Sequence, residues 1–281
     1  MSRLATLIGV IAGLLIVILN MIDFDRGEFM TAFLNLQGLL VVLGGTFAAT
    51  LINYPLTDMR CLGQGIKRVF VGEPANANEA IAEVTELSYI AHRHGQLRLE
   101  KEIDLVEDSY LQFALNELLV YRQQDQLALS LENHYQTIRL RHLNCQEMFH
   151  NMASYAPAFG MMGTVMGLII MMTTQVASGE ATAVGADSDN MLDSLLQGMG
   201  LALVTTFYGV LFANFVFIPI AGKLKVLSDA EALKNEILMH GVLGIHNKVA
   251  PAMLKETLTA FVNEHNKRKL SQMIEDGIEA E

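Results

Sequence analysis

The sequence predicts an all-α membrane protein that has four transmembrane helices and a helical cytoplasmic domain. Hydrophobic residues make up 52% of its 281 positions and charged residues only 17%, which is too little charge to cover the surface of a soluble protein of this length. Four stretches contain no Asp, Glu, Lys, Arg or His, and each approaches or exceeds the roughly 20 residues that a helix needs to cross a bilayer. Lys and Arg are concentrated beside some ends of these stretches and are scarce beside the others, which indicates a defined orientation in the membrane.

The four uncharged stretches are expected to be helices because a bilayer offers no water to exposed backbone polar groups. They are Leu4–Ile22, Leu34–Tyr54, Met152–Gln175 and Leu195–Ile220. The first could also be a secretory signal peptide, but its apolar run is too long and no small-residue cleavage site follows it. We therefore interpret it as a transmembrane span.

The distribution of positive charge predicts that both termini are cytoplasmic. Arg26 is the only Lys or Arg between the first two spans, and the loop between the last two spans contains none. Basic residues lie instead in the middle segment and the tail, at Arg60, Lys67, Arg68, Arg139, Arg141, Lys223 and Lys225. The predicted organisation is spans one and two with a short periplasmic loop in 1–54, a cytoplasmic helical domain in 55–151, spans three and four with a short periplasmic loop in 152–220, and cytoplasmic C-terminal helices and tail in 221–281.

Apolar periodicity predicts helices in both cytoplasmic segments. Gly95 is expected to end the first helix. Gly241 and Gly244 are expected to interrupt the helical structure of the tail. No helix breaker precedes span three, so that span and the helix before it are expected to be continuous. The predicted helices are Glu79–His94, Leu97–Leu119, Gln126–His150, Val226–Met239 and Pro251–Glu264.

Several function classes are excluded by composition and motifs. The formal net charge of −11 argues against nucleic acid as a partner, because phosphate binding needs basic patches. No phosphate-binding loop or nucleophile elbow is present, so we expect no enzyme activity. His92 and His94 point to different faces of a helix, and no metal site is expected. Cys61 and Cys145 fall in segments assigned to the cytoplasm, where we expect free thiols and no structural disulfide.

Spans three and four carry small residues at helical spacing. Such faces allow the backbones of neighbouring helices to approach closely, and we expect them to drive association into a homo-oligomer. Prolines in or beside these spans remove backbone hydrogen-bond donors and are candidate hinges. The helix-packing candidates are Gly160, Gly163, Gly167 and Gly209, and the hinge candidates are Pro157 and Pro219.

None of the four spans contains an ionisable residue, although ion transfer across a bilayer generally uses one. The chain therefore either moves no ions or receives the ionisable group from a partner helix. Thr164, Thr205 and Thr206 place hydroxyl groups in the spans. They can line a hydrated ion path or bond to carbonyl groups of their own helix, and the sequence leaves both interpretations open.

Four motifs together resemble those of the MotA/PomA flagellar stator subunits, within the superfamily that also includes TolQ and ExbB. They are Ala156–Thr164 (APAFGMMGT), Leu201–Gly209 (LALVTTFYG), Val42–Thr50 (VLGGTFAAT) and Glu236–Gly244 in the tail. The resemblance covers most of the chain from Gly38 to about Phe261, and jointly these motifs are specific.

The resemblance implies a homopentamer in the bacterial inner membrane, surrounded by lipid and built around a dimer of a MotB/PomB-type partner. That partner would contribute a membrane helix with an aspartate and a peptidoglycan-binding domain. Flow of H⁺ or Na⁺ would then turn the ring against the rotor switch-complex protein FliG, in motility and chemotaxis, with no cofactor besides the transported ion. The resemblance separates neither H⁺ from Na⁺ nor a polar from a lateral flagellum.

The resemblance also implies roles for individual residues. Pro157 and Pro219 match prolines that couple ion flow to movement, and Thr164 and Thr206 match hydroxyl positions near the ion path, beside which Thr205 also lies. A cytoplasmic Arg pair and a Glu, which contact the rotor, match His92, Arg93 and Glu100. His replaces the first Arg, and a solvated helix face is the alternative interpretation of all three positions.

Two other functions are weighed against the stator. A TolQ/ExbB-like energiser of outer-membrane processes typically has three spans with its cytoplasmic loop after the first, whereas two spans precede the insertion here. A solute transporter is disfavoured by the lack of an internal inverted repeat and of intramembrane charge. A neighbouring reading frame for a single-span, peptidoglycan-binding protein would favour the stator.

Overall fold

A computed structural model describes residues 2–23, 28–29, 33–179 and 188–262. The chain divides into two compact units. The spanning unit comprises Met1–Gly72 and Asn144–Leu224, and the lobe unit comprises Glu73–Leu143 and Lys225–Glu281. These boundaries differ from the predicted limits of the cytoplasmic domain, because the helix after span two belongs to the spanning unit. Arg26 and Glu264, which entered the predictions above, lie outside the described residues.

The spanning unit is built from helices, with one very short pair of antiparallel strands. The strands β1 (Ile22–Asp23) and β2 (Glu28–Phe29) pair after the first helix. The helices are α1 (Ser2–Asn20), α2 (Leu36–Leu39), α3 (Gly45–Asn53), α4 (Arg60–Val71), the C-terminal part of α8 (Gln124–Gly179), α9 (Ser188–Leu211) and the start of α10 (Ile218–His246). One π-helical segment, Leu40–Gly44, joins α2 to α3, and another, Phe212–Phe217, joins α9 to α10.

The lobe unit packs its helices around a single apolar core. Its helices are α5 (Ala77–His94), a 3₁₀ turn (Gln96–Leu99), α6 (Glu100–Ile103), α7 (Ser109–Val120), the first part of α8, the rest of α10, and α11 (Pro251–Thr259). Burying each large aliphatic side chain contributes about 1.5–3 kcal/mol, so this core is the main source of the lobe's stability. Its fully buried members include Ile81, Val84, Leu111, Leu115, Leu127, Leu131, Ile237 and Leu258.

Within the part of the chain that the structure describes, three helical segments are long and apolar enough to cross a membrane: Leu36–Asn53, Gln124–Thr173 and Leu196–His246. The first predicted span coincides with α1, whose described apolar stretch, Ile8–Leu19, is shorter. The structure therefore supports a membrane protein, and the count of four spans stays a prediction.

The prediction of one continuous helix leading into span three is confirmed. Helix α8 runs without interruption for 56 residues and contains Pro157 in its interior. Proline lacks the N–H that would bond to the carbonyl one turn earlier, but the helix is stable enough on both sides to continue past it.

The first lobe helix also ends where predicted. Helix α5 begins after Asn76, whose side chain accepts a hydrogen bond from the Asn78 N–H (3.2 Å), and it stops at Gly95. The φ angle of Gly95 is +85°, a backbone conformation that residues with a Cβ rarely adopt.

The predicted helix Leu97–Leu119 is wrong as a single element. The structure has a 3₁₀ turn and the short α6 in its first half, and a new helix, α7, starts at Ser109. The cause is Asp108, whose carboxylate accepts hydrogen bonds from the N–H groups of Tyr110 and Leu111 (both 2.9 Å). Aspartate at this position caps a helix start, and the periodicity of the apolar residues did not reveal it.

The expected break at Gly241 and Gly244 is also wrong. Helix α10 passes through both glycines and ends at His246. A Cβ atom added to Gly241 would collide with Val84 of α5, and one added to Gly244 would collide with Leu254 of α11. The glycines therefore serve close helix packing. Helix α11 ends at Thr259 rather than at the predicted Glu264.

Candidate functional site

The glycine faces of α8 and α9 meet within one chain. A Cβ atom added to Gly160 would lie 2.9 Å from the carbonyl oxygen of Thr205, and one added to Gly209 would lie 2.7 Å from that of Ala156. At Gly163 the added atom would lie 2.6 Å from the side chain of Thr205. The two helix backbones are in near contact along this face, an arrangement that only small residues permit.

The same contact continues towards the other end of the helices. A Cβ atom added to Gly167 would lie 2.7 Å from the carbonyl oxygen of Gly198 and 3.1 Å from the Ala202 side chain. The four helix-packing candidates thus lie on one seam inside the spanning unit. Because these glycine faces pair with each other within one chain, they are not the surfaces that drive association into a homo-oligomer.

Pro157 lies on this seam. A Cβ atom added to Gly209 would lie 3.1 Å from the Cα atom of Pro157, so the backbone of α9 touches α8 where α8 lacks one internal hydrogen bond. The preceding residue, Ala156, is fully buried. A change in the backbone geometry of α8 at Pro157 would therefore also move the backbone of α9 at Gly209.

Pro219 lies just beyond the seam, in the first turn of α10. The π-helical segment Phe212–Phe217 immediately precedes it. A π-helical turn is wider than an α-helical turn, and it accommodates the proline ring, which would otherwise clash with a carbonyl group of the preceding turn. Pro219 is exposed.

The hydroxyl groups of the three ion-path candidates are bonded within their own helices. Thr164 donates to the Met161 carbonyl (2.6 Å), and Thr205 and Thr206 both donate to the Ala202 carbonyl (2.9 and 3.3 Å). Thr205 is fully buried on the glycine seam, whereas Thr164 and Thr206 are half-buried. In the single chain these hydroxyls satisfy backbone carbonyls, as is common for membrane threonines.

A polar clamp that sequence reasoning missed fixes the start of span two. The Asn35 N–H donates to the hydroxyl oxygen of Tyr208 (3.1 Å), and the Tyr208 hydroxyl donates to the Phe33 carbonyl. The Asn35 side chain accepts a hydrogen bond from the Gly38 N–H (3.0 Å). An Asn immediately before an apolar run is a helix N-cap signal that could have located this clamp.

A second clamp holds the other end of span two against α8. Asn151 donates to the Tyr54 hydroxyl (2.6 Å), and Asn53 donates to the Tyr155 hydroxyl (3.2 Å). The Phe159 ring occupies the space that a side chain on Gly45 would fill. Span two is thus tied to α8 next to Pro157 by paired polar contacts and a close glycine contact.

The predicted rotor-contacting residues lie in the lobe unit. His92 and Arg93 are in the last turn of α5, and Glu100 begins α6. All three are exposed, and among the described residues Arg93 and Glu100 form no ion pair with each other. Their charges are therefore available to a partner.

His92 also borders a cavity of about 520 Å³ at the end of α5. The other walls come from the turn at Gly95 and from the loop after α10, which includes Lys248. The Gln96 side chain donates to the carbonyls of Ile245 and His246 (3.1 and 3.3 Å), which fixes the turn against the last turn of α10. Arg93 and Glu100 do not line the cavity.

Cys61 of α4 and Cys145 of α8 form a disulfide, with their Cα atoms 5.9 Å apart. This contradicts the expectation of two free thiols. That expectation rested on the compartment alone, because residues separated by 84 positions give no sign in the sequence that they meet. The structure brings them together because α4 folds back onto α8 at Gly65, where an added Cβ atom would lie 3.0 Å from the Phe149 ring.

Comparison with known proteins agrees with this architecture. Residues 102–237 match the profile of the MotA/TolQ/ExbB proton channel family. Motility protein A of Treponema phagedenis is 29% identical over 274 residues, covering 97% of this chain and 99% of that protein. Chemotaxis protein PomA of Vibrio alginolyticus is 28% identical over 261 residues, covering 93% of this chain and 96% of that protein.

The fold is shared with a solved structure, that of the flagellar MotAB stator complex from Bacillus subtilis. The match has a TM-score of 0.77 and 23% sequence identity, and it covers 94% of this chain and 97% of that one. Both the spanning unit and the lobe unit fall within this coverage. The chain is therefore similar to the MotA/TolQ/ExbB proton channel family over residues 102–237, and to motility protein A and PomA over almost its full length.

Proposed function

We propose that this chain is the membrane-bound stator subunit of a bacterial flagellar motor, and that it couples H⁺ or Na⁺ flow across the inner membrane to rotation of the flagellar rotor. The observation that carries the proposal is the alignment with motility protein A along almost the full length of both proteins. A family of channel and motility proteins also gives no reason to assign an enzyme activity.

The ion path requires a carboxylate from another protein. The uncharged stretches of this chain contain no Asp, Glu, Lys, Arg or His, and an ionisable group inside the membrane is the usual means of ion transfer. A MotB/PomB-type subunit, with one membrane helix that bears an aspartate, would supply it. The transported ion, H⁺ or Na⁺, is then the only small species that the complex needs.

The proposed assembly is a ring of five copies around a dimer of that partner, embedded in lipid. Both termini and residues 55–151 face the cytoplasm, as the positive charges beside the spans predict. In this orientation the lobe unit is on the side of the rotor. His92, Arg93 and Glu100 would then meet charged residues of FliG, and their exposure supports this role.

The seam between α8 and α9 is proposed to transmit the motion. Pro157 weakens α8 at its contact with Gly209, and Pro219 follows the wide π-helical turn that ends span four. Thr164, Thr205 and Thr206 lie on or near the seam. Their hydroxyls can turn from their helical carbonyls towards a passing ion, because a Thr hydroxyl both donates and accepts hydrogen bonds.

The test is restoration of motility. A strain that lacks its own stator subunits is given this chain together with its single-span partner, and swimming is measured. We expect swimming to be restored, and to be lost when the partner's membrane carboxylate is replaced by an amide, while the two proteins still co-purify. Failure to co-purify with any MotB-type subunit, or swimming that survives loss of the carboxylate, would contradict the proposal.

A further inference from the structure

The structure assigns a modification site to Cys61 and Cys145. We infer that they are a reversible thiol–disulfide switch, oxidised by hydrogen peroxide, which ties α4 to α8 and slows the motor. This inference rests on the proposed function and orientation, since both are needed for the switch to have an effect. It assigns a role to two residues that the ion path and the rotor contact do not use.

The backbone geometry suits the bond. The Cα atoms are 5.9 Å apart, which is within the usual range for a disulfide. The sulfur of Cys145 lies 3.5 Å from the Cys61 carbonyl oxygen, and a Cβ atom added to Gly65 would lie 3.5 Å from the same sulfur. The two helices are thus packed together around the sulfur atoms, and the bond can form without moving either helix far.

Cys61 lies at the start of a helix, where a small oxidant can reach it. Cys61 lies in the first turn of α4, which contains no acidic residue, and Arg60 precedes it. The N-terminal turn of a helix and a neighbouring cation both stabilise a thiolate. Cys61 and Cys145 are half-buried rather than enclosed, so a molecule as small as hydrogen peroxide can reach them.

The reaction needs two steps. The Cys61 thiolate attacks one oxygen of hydrogen peroxide, the O–O bond breaks, hydroxide leaves, and the sulfur becomes a sulfenic acid. The Cys145 thiolate then attacks that sulfur, the S–O bond breaks and a second hydroxide leaves. The two hydroxides take up the protons that the two thiols released, which gives water. In total two thiols and one hydrogen peroxide give one disulfide and two waters, and exchange with a cellular dithiol returns both thiols.

The reducing cytoplasm makes this pair a switch rather than a permanent bond. Thiols there are normally reduced, so the bond would form only during oxidative stress. Cys61 precedes residues 73–143 and Cys145 follows them, so the bond joins the two chain segments that lead into and out of that part of the lobe. A force that moves α8 would then act on α4 as well, and a motor step that needs the two helices to separate would be blocked.

The first experiment measures the thiols in living cells. Cells expressing the chain with its partner are treated with a thiol-reactive polyethylene glycol maleimide before peroxide, after peroxide, and after added dithiothreitol. We expect two adducts, then none, then two, as gel shifts of the denatured chain. Cys61→Ser should give one adduct throughout. Cys145→Ser should give one adduct before peroxide, lose it while Cys61 is a sulfenic acid, and regain it after dithiothreitol. A wild-type chain that has no free thiols during normal growth, or that keeps both after peroxide, would overturn the proposal.

The second experiment measures torque under the same conditions. We expect the wild-type motor to lose most of its torque after mild peroxide and to recover with dithiothreitol, whereas Cys145→Ser keeps its torque. That variant retains every methionine, so it controls for oxidation elsewhere. Torque that is unchanged although the disulfide has formed would refute the switch and leave the stator function standing. Absence of torque before peroxide would count against the stator function instead.

Discussion

At the scale of single residues, the positions without a side chain determine how the helices pack. Gly209 and Gly160 let α8 and α9 touch backbone to backbone, whereas Gly241 and Gly244 make room in α10 for the side chains of Val84 and Leu254. Gly95 differs, because its positive φ angle and not a close contact requires glycine. The sequence shows the helical spacing of the glycines but not which of these roles each one has.

Gly209→Ala is expected to destabilise the chain by about 1–3 kcal/mol, the usual cost of overpacking. The added methyl group would meet the Ala156 carbonyl at 2.7 Å, and backbone cannot move aside as a flexible side chain can. Gly200→Ala is the matched control on α9, because nothing lies within 4 Å of its added atom. Unfolding of the purified chain in detergent, followed by circular dichroism, compares the two. Equal stability of the two variants would contradict the close contact.

Glu83→Gln is expected to stabilise the lobe near neutral pH but not in acid. Burial raises the pKa of Glu83, nearby Asp108 raises it further, and Lys234, which pairs with Asp108, lowers it. Because the folded-state pKa lies above the usual value of 4.5, the folded chain holds its proton more tightly than the unfolded chain. The contribution of Glu83 to the free energy of unfolding is therefore fully present below the unfolded pKa. It decreases as pH rises through the folded pKa.

The test of Glu83 is the unfolding temperature of each variant at neutral pH and near pH 4. Glutamine resembles the protonated acid, so the gain over wild type should be present at neutral pH and should shrink to nothing in acid. The exposed Glu256 of α11 provides the control substitution, Glu256→Gln, for which no such gain is expected. A gain for Glu83→Gln that is the same at both pH values would show that packing, not ionisation, is the cause.

At the scale of elements, helix ends with an unambiguous local signal were predictable, and helix limits set by distant contacts were not. The ends of α5 and the continuity of α8 follow from a glycine terminator and from the lack of breakers. The start of α7 was missed although its signal is local, since Asp108 as a cap was hidden in a run that also fits a longer helix. The passage of α10 through two glycines depends on α5 and α11, which the sequence does not place.

Pro157→Ala is expected to leave the complex assembled and to abolish motility. Alanine restores an N–H that can bond the carbonyl one turn earlier, which stiffens α8 where it touches α9. The contact itself should survive, because Gly209 meets the Cα atom of Pro157 and not its ring. Swimming speed and co-purification of the partner are measured together. Pro55→Ala, at an exposed proline outside the helices, should swim normally. Normal swimming of Pro157→Ala would remove this proline from the mechanism.

At the scale of the whole molecule, the candidate site is divided between residues that act within the chain and residues proposed to act between proteins. The glycine seam is complete within the chain, as shown by the near contact of α8 and α9. The proposed rotor contact consists of exposed residues of the lobe unit, whose partner would be another protein. The disulfide was unpredictable because cysteines 84 positions apart meet only through the packing of α4 on α8. The proposed rotor-contacting residues therefore have to be tested together with the protein that they would contact.

Charge reversal at the rotor contact is expected to reduce torque without affecting assembly. Single exposed ion pairs contribute only about 0.2–1 kcal/mol, so Arg93→Glu or Glu100→Lys alone should have a mild effect. The double variant should be worse than either single variant if each residue faces a different charge on the rotor. His92→Arg should be tolerated at neutral pH because it keeps or adds positive charge, whereas His92→Asp should not.

Rescue by the rotor protein is the decisive measurement. Torque is recorded from beads tethered to cells that carry each variant, with membrane levels checked by immunoblot. Reversing the opposing charges on the rotor should restore part of the torque of the double variant, because the attraction depends only on the signs of the paired charges. A misfolded lobe could not be repaired by a change in another protein, so rescue separates a broken contact from a broken fold. Unchanged torque in the double variant would show that His92, Arg93 and Glu100 form only a solvated helix face.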